Sequence, residues 1–424
     1  MINPLFVLRT YNDIDHILPV IWKFLQEGSR PVIIFNSSYD YLSDERVKFL
    51  CKNNDIKIVR MVDKVHEERT IHLGSSKRFS LINLIRSKIY NQIRKPNILL
   101  GKIYRKLFFD CTKEYFFFKE NNINLVIFEW GNPEMKGEKF EKILTVAKGL
   151  GAPVCSLPHG LNIYLNSDIH QTYIAKIKKG ILPNFKPWNK YDRIVVQSHF
   201  HAEHMKRFGL EANKISVWGS ARFSPEWQKV NFGIYETFIS KKISTNKVKI
   251  VFMLPHWIYN VNKDETLRLI KDISKLKNIH LVIKDHTRGD TGEYPRNERN
   301  ILNAKENVEF ETEASSTSLI KWCDLIINFG SSIGLEAIYQ EKSIIYPRYL
   351  HSNQTIHDVT NTTHIAECGG DVLNYIDKFS SDSLSLVSKD EVDSLFKNVV
   401  YGSKDPHDVL GFYYQSLKKI AEKI

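Results

Sequence analysis

Strand-length runs of unbroken apolar residues recur along this chain, and most are followed by a helix-length amphipathic stretch. Residues 5–9, 31–36, 56–62, 124–129 and 153–157 read as strands, followed by 191–197 and 215–218. Helices are expected over 13–27, 44–53 and 134–149, the first opening at an Asp or Asn cap. A strand that is apolar at every position must be covered on both faces. The alternation therefore predicts parallel sheets sandwiched between helices.

The pattern breaks over 220–246, which lacks a clean strand, and then resumes. Strands are expected over 248–254, 280–284, 308–311, 325–328 and 343–346. Helices are expected over 263–276, 316–322, 333–340, 389–398 and 406–423. The predicted fold class is α/β, with two doubly wound domains facing a cleft. The boundaries expected are a first domain at 1–220, a linker at 221–246 and a second domain at 247–424, with the last helix packing back on the first domain. A length of 424 residues suits this division, since a domain takes roughly 100–200 residues.

Composition narrows the class. With 42% hydrophobic and 25% charged residues the chain is neither disordered nor fibrous. Five scattered cysteines without a CxxC pair argue against a disulfide framework or a cysteine zinc site, and point to a reducing cytoplasm. No apolar run approaches the roughly 18 residues of a spanning helix. Asp13 and Asp15 come too early for a secretory signal. A cytoplasmic protein is expected.

The formal charge of +12 is unevenly spread. Between Lys77 and Glu120 stand eleven basic residues and three acidic ones, a local excess of +8. Leu81, Ile85, Ile89 and Ile93 recur every fourth residue there, which predicts a helix with one apolar face, and Pro96 separates it from a second. A basic amphipathic pair of this kind is either a solvated face or a surface for anionic lipid or an anionic acceptor. Each lysine near such a membrane contributes about 1 kcal/mol. Nucleic acid is not an expected partner, because no zinc finger or RNA-binding fingerprint accompanies the charge.

Ligands of doubly wound sheets bind beyond the carboxyl ends of the strands, so the strand ends hold the candidate site. In Lys284-Asp285-His286-Thr287-Arg288, the residues Lys284, His286 and Arg288 gather donors suited to a diphosphate. In Asn328-Phe329-Gly330-Ser331-Ser332, leading to Glu336, a strand turns into a helix through small residues. Ser331 or Ser332 is expected to cap that helix, whose free N–H groups favour an anion. In the first domain, Glu129-Trp130-Gly131 and His159-Gly160-Leu161-Asn162 follow two strands. Glu129 or His159 is a candidate general base. His256 and Asn353 are further candidate cleft contacts, although a structural role suits His256 better. No Walker lysine motif or GxGxxG occurs. His351 and His357 lack a ligand spacing for metal, so no metal and no cofactor are expected.

The ordered set resembles bacterial surface-polysaccharide glycosyltransferases of the GT-B fold, built from two Rossmann-like domains. Bacterial sialyltransferases and polysialyltransferases carry an acidic-x-Gly motif, a His-Pro motif and a Ser-Ser motif. Glu129 with Gly131, His286, and Ser331 with Ser332 match these positions, although Thr287 stands in place of Pro and Trp130 in place of a second acid. CDP-glycerol glycerophosphotransferases are similar through His159-Gly160. The resemblance implies a metal-independent, inverting transfer from a nucleotide sugar, with a CMP-sugar such as sialic acid or Kdo favoured. The acceptor would be a saccharide or lipid-linked saccharide of capsule or lipopolysaccharide. His286, Arg288 and the Ser331–Ser332 turn would stabilise the departing phosphate. It also implies a cytoplasmic enzyme, peripheral at the inner face of the bacterial membrane through 77–120. Three other readings stand beside it: an alditol-phosphate transferase, a UDP-sugar 2-epimerase, and a non-catalytic polyanion- or membrane-binding protein.

Overall fold

A computed structural model describes residues 2–35, 39–54, 56–60, 110–133, 136–158, 160–161, 163–165, 171–242, 247–286, 293–384 and 387–422. Two wholly parallel sheets organise them. The first has seven strands: β1 (Pro4–Leu8), β2 (Val32–Phe35), β3 (Lys57–Arg60), β4 (Leu125–Glu129), β5 (Val154–Leu157), β6 (Arg193–Val196) and β7 (Ile215–Val217). Their order is β3-β2-β1-β4-β5-β6-β7. The second has six: β8 (Val248–Met253), β9 (Ile279–Lys284), β10 (Val308–Glu311), β11 (Leu325–Ile327), β12 (Ser343–Pro347) and β13 (His364–Ala366). Their order is β10-β9-β8-β11-β12-β13. The expected α/β class with two doubly wound domains is the one observed.

Burial on both faces explains the unbroken apolar runs. Along β1, Phe6 and Leu8 join the core beneath the helix Tyr11–Gln26, while Leu5 and Val7 join the opposite core beneath the helix Glu138–Gly149. Side chains alternate across a strand, so one apolar run feeds two cores. The core beneath Tyr11–Gln26 continues into the second domain through Val251, Met253 and Ile326. The opposite core stays within the first domain.

The C-terminal helix Val409–Glu422 lies against Tyr11–Gln26, with the Phe24 and Tyr414 rings 5.1 Å apart. Tyr413 Oη donates to the Gly219 carbonyl at 2.8 Å and Tyr401 Oη to that of Phe223 at 2.9 Å. The chain therefore returns to the first domain after completing the second sheet.

Some elements differ from expectation. The helix expected over 134–149 begins at Glu138, because Gly137 holds a left-handed φ of +83° just before it. The strand β13 and the helix Gly369–Ser380 were not expected. Of the basic region, the helix Thr112–Glu120 is described, whereas the helix expected over 81–93 lies outside the described residues.

Candidate functional site at the facing strand ends

In each sheet the chain winds outward from a central strand in both directions. The first sheet switches direction between β1 and β4, and the second between β8 and β11. Crevices at such switch points are where doubly wound sheets bind ligands. The two crevices are joined by contacts between loops. Tyr164, beyond β5, donates its hydroxyl to the Gly330 carbonyl beyond β11 at 2.5 Å. Leu165 N–H donates to the Gln354 carbonyl and Ile356 N–H to that of Ile163, both at 2.9 Å. The two domains thus meet at the carboxyl ends of their strands.

The first switch point carries an ion cluster. Arg9 follows β1 and Glu129 ends β4. Arg9 Nε lies 2.7 Å from Glu129 Oε1, and its Nη2 donates to Oε2 at 2.9 Å. Lys136 Nζ also contacts Glu129 Oε1 and donates to its main-chain carbonyl at 3.1 Å. Burial lowers the Lys136 pKa, and Glu129 opposes that shift. Gly131 makes room for this cluster, since a Cβ there would sit 3.1 Å from Glu129 Oε2 and 3.2 Å from Lys136 Nζ. Asp13 accepts the main-chain N–H groups of Arg9 and Thr10 at 2.6 and 3.0 Å, fixing the turn that presents Arg9.

The second switch point gathers three neighbouring strand ends. His256 follows β8 and His286 follows β9, with their rings 5.2 Å apart, edge to face. His256 also rests on Tyr259 at 4.8 Å. Beyond β11, Asn328 Nδ2 donates to the Ser331 carbonyl at 3.0 Å and braces the Gly330-Ser331-Ser332 turn. His351 stacks on Phe329 with ring centroids 5.8 Å apart. These residues stand at the carboxyl ends of β8, β9, β11 and β12.

Gly330 is constrained twice. Its φ is +74°, and a Cβ would stand 2.9 Å from Tyr164 Oη. Gly330→Ala is expected to cost about 2 kcal/mol through left-handed strain and the displaced tyrosine. Urea unfolding of the variant measures this; a loss below about 0.5 kcal/mol would show that the turn adapts freely.

Several expected site residues are engaged elsewhere. Lys284 is buried, with its ammonium donating to the Thr312 carbonyl at 2.7 Å, so it braces β9 rather than facing the crevice. Burial lowers its pKa, against the raising effect of Glu311, Asp285 and Glu313. Glu336 is buried and bonded to Arg222 Nη2 at 2.7 Å and to Thr317 Oγ1 at 2.6 Å, which makes it a link between domains. Asn353 is buried, accepting from Asn260 Nδ2 at 2.9 Å and donating to the Tyr259 carbonyl at 2.8 Å. Ser332 stands at the helix start in a helical conformation and makes no capping bond, whereas Ser331 Oγ accepts from Ile333 N–H at 3.4 Å. Gly160 has no heavy atom within 4 Å of a built Cβ. His159, Asn162 and Arg288 lie outside the described residues.

Sequence reasoning missed Arg9, Lys136, Tyr164 and Arg222, and gave Asn328 no role of its own. Arg9 had a usable signal, a cation directly after the first strand. Tyr164 and Arg222 had none, because their partners are distant in sequence. Among the described residues, no group of three or more His, Cys, Asp or Glu side chains is placed to hold a metal ion. Nor is any helix there long and apolar enough to cross a membrane.

No protein-family model matches the sequence, and no curated protein matches it. Solved structures do match its fold. A putative UDP-N-acetylglucosamine 2-epimerase from Listeria monocytogenes aligns over 100% of this chain and 97% of its own, with TM-score 0.56 and 10% identity. A UDP-GlcNAc 2-epimerase from Neisseria meningitidis bound to UDP-GlcNAc aligns over 99% and 100%, with TM-score 0.55 and 12% identity. A glycosyltransferase from Rickettsia africae aligns over 100% and 99%, with TM-score 0.53 and 16% identity. At these identities the likeness concerns architecture: two Rossmann-like domains joined at their strand ends, the GT-B fold.

Proposed function

We propose that this chain is an enzyme acting on a nucleotide-activated sugar, which it binds across the two facing switch points. One observation carries the reading. His256, His286 and the Gly330-Ser331-Ser332 turn occupy three adjacent strand ends of the second sheet, and an Arg9–Glu129–Lys136 cluster stands at the switch point of the first. The Neisseria meningitidis fold neighbour, bound to UDP-GlcNAc, supports the ligand class.

The reaction proposed is metal-independent glycosyl transfer. The nucleotide sits on the second domain. His286, His256 and the Ser331 hydroxyl stabilise the phosphate charge that develops as the sugar departs. The Tyr164–Gly330 contact closes the loops over the donor and limits hydrolysis. Arg9 and Lys136 engage both Glu129 oxygens, which makes Glu129 the group that positions those cations. Of the two candidate bases, His159 is therefore the one proposed to deprotonate the acceptor. A single displacement would invert the anomeric centre. A CMP-sugar donor and a saccharide or lipid-linked acceptor, with the basic segment 77–120 on the acceptor side or against an anionic membrane, complete the proposal.

Epimerisation of a UDP-sugar is the second reading, favoured by the fold neighbours named as 2-epimerases. The purified chain should be screened for binding to CMP, CDP, UDP and GDP, and the donor of the bound nucleotide incubated with and without acceptors. Transfer requires an acceptor, whereas epimerisation proceeds without one. His286→Ala is expected to slow turnover by about 10²–10³-fold, with the melting temperature held. Wild-type turnover in that variant, or no affinity for any nucleotide, would refute the proposal.

A further inference from the structure

The first domain carries a projection whose apolar side chains are exposed among the described residues. The helix Gln171–Lys178 ends in Gly180, at φ +73°. Gly180 N–H donates to the Ile177 carbonyl and Ile181 N–H to that of Lys176, the bond pair of a Schellman turn. In that motif the residue after the glycine ordinarily packs back on the helix's last turn. Here the position it would pack against is Lys176, and Ile181 remains 54% exposed. Leu182 is 66% exposed and Ile177 36%. Every residue from Ala175 to Leu182 is exposed.

Along the sequence around this projection the charge has one sign, although Lys190 is paired with Glu141 at 3.1 Å. Between Asp168 and Asp192 stand Lys176, Lys178, Lys179, Lys186 and Lys190, with no acidic residue. Apolar side chains ringed by lysines have the chemistry of a bilayer interface: the apolar tips enter the acyl boundary while the ammonium groups meet phosphates. Position in the fold agrees. Phe185 and Trp188, just beyond, lie in the core confined to the first domain, away from the core shared with the second. The same core takes Phe118 of Thr112–Glu120, a helix that exposes Tyr115 (43%) and Phe116 (56%) between Lys113 and Lys119. The chain that follows the projection and the helix Thr112–Glu120 are thus both anchored in the core confined to the first domain.

We infer that the Ile177–Leu182 projection is a docking surface for an anionic lipid bilayer, in which Ile177, Ile181 and Leu182 insert and Lys178 and Lys179 meet the headgroups. This inference stands apart from the nucleotide reading and from the segment 77–109. Flotation of the full chain with vesicles of phosphatidylcholine, alone or doped with phosphatidylglycerol, tests it. Wild type is expected to float with the anionic vesicles only. The triple variant Ile177→Ser, Ile181→Ser, Leu182→Ser, and separately Lys178→Gln with Lys179→Gln, are expected to bind at least about tenfold more weakly. Unchanged melting temperature and nucleotide binding would show that both variants fold. If the triple variant floats like wild type, docking runs through another surface and the inference fails. It fails equally if wild type floats with neither vesicle, including the case in which wild type instead binds soluble heparin.

Discussion

Arg222→Met is expected to lower the unfolding free energy by about 3–5 kcal/mol. The Arg222 guanidinium is buried in the turn Ala221–Phe223 and joins two domains. Its Nη1 lies 2.6 Å from Asp15 Oδ2 on the first domain, and its Nη2 lies 2.7 Å from Glu336 Oε2 on the second. Arg46 holds the other Asp15 oxygen at 2.5 Å. Among the described residues, removing Arg222 leaves Glu336 with the Thr317 hydroxyl and takes from Asp15 the largest of its cationic partners, leaving Arg46 and His16. A hydrophobic pair in its place costs far less, because no charge is then left behind. The double variant Arg222→Met, Glu336→Leu should therefore recover part of the loss, and a double-mutant cycle measures the coupling. Urea titration reads both variants together with Glu336→Leu alone, and a loss under 1 kcal/mol for Arg222→Met would remove the network from the account of stability.

The pH sense of this network follows from Asp15. Burial alone would raise its pKa, but Arg222 and Arg46 outweigh burial and hold it below the ordinary value of 3.8. A depressed carboxyl pKa contributes stability that is present above the unfolded value and lost as pH falls through the folded one. This contribution is therefore intact at pH 5 and disappears only in strong acid.

The second large effect falls in a milder window. His351 and His357 are buried beside the Gly330 turn, and burial pushes both pKa values down to about 4. Both are neutral in the folded and unfolded states above their ordinary value near 6.5. Below it, the unfolded chain binds protons that the folded chain excludes. Stability should therefore fall steadily from about pH 6.5 to about pH 4, by about 3 kcal/mol for each histidine. Denaturant titrations across that range test the point. His357→Gln should remove close to one proton from the linkage slope, and a wild type equally stable at pH 7 and pH 5 would contradict the assignment.

The outcome for individual elements shows why some features were legible and others were not. The strands β1, β2, β4, β5, β8, β9 and β12 announce themselves as runs of consecutive apolar residues, because burial on both faces leaves few polar positions. By contrast, β13 has three residues, His364 to Ala366, and the helix after it opens on Gly369-Gly370. A strand too short to show a pattern, followed by two helix-weakening glycines, offers nothing local to read. The strand-end residues were legible as chemistry, since turns after strands are short and their content is visible. Their partners were not.

Local pattern, then, determined that the chain builds two α/β units and that histidines, a glycine-serine turn and a glutamate stand at their strand ends. Periodicity and burial act over a few residues, so the order of residues is enough to reveal them. Only the tertiary structure decided which of those groups are taken up by contacts distant in sequence. Glu129 meets Arg9 across 120 positions, and Arg222 meets Glu336 across 114. Lys284, Glu336 and Asn353 carry the right functional groups but are bonded to other parts of the protein. A side chain's burial and its charge partner depend on which strands lie side by side, and that is settled by the packing of the whole chain.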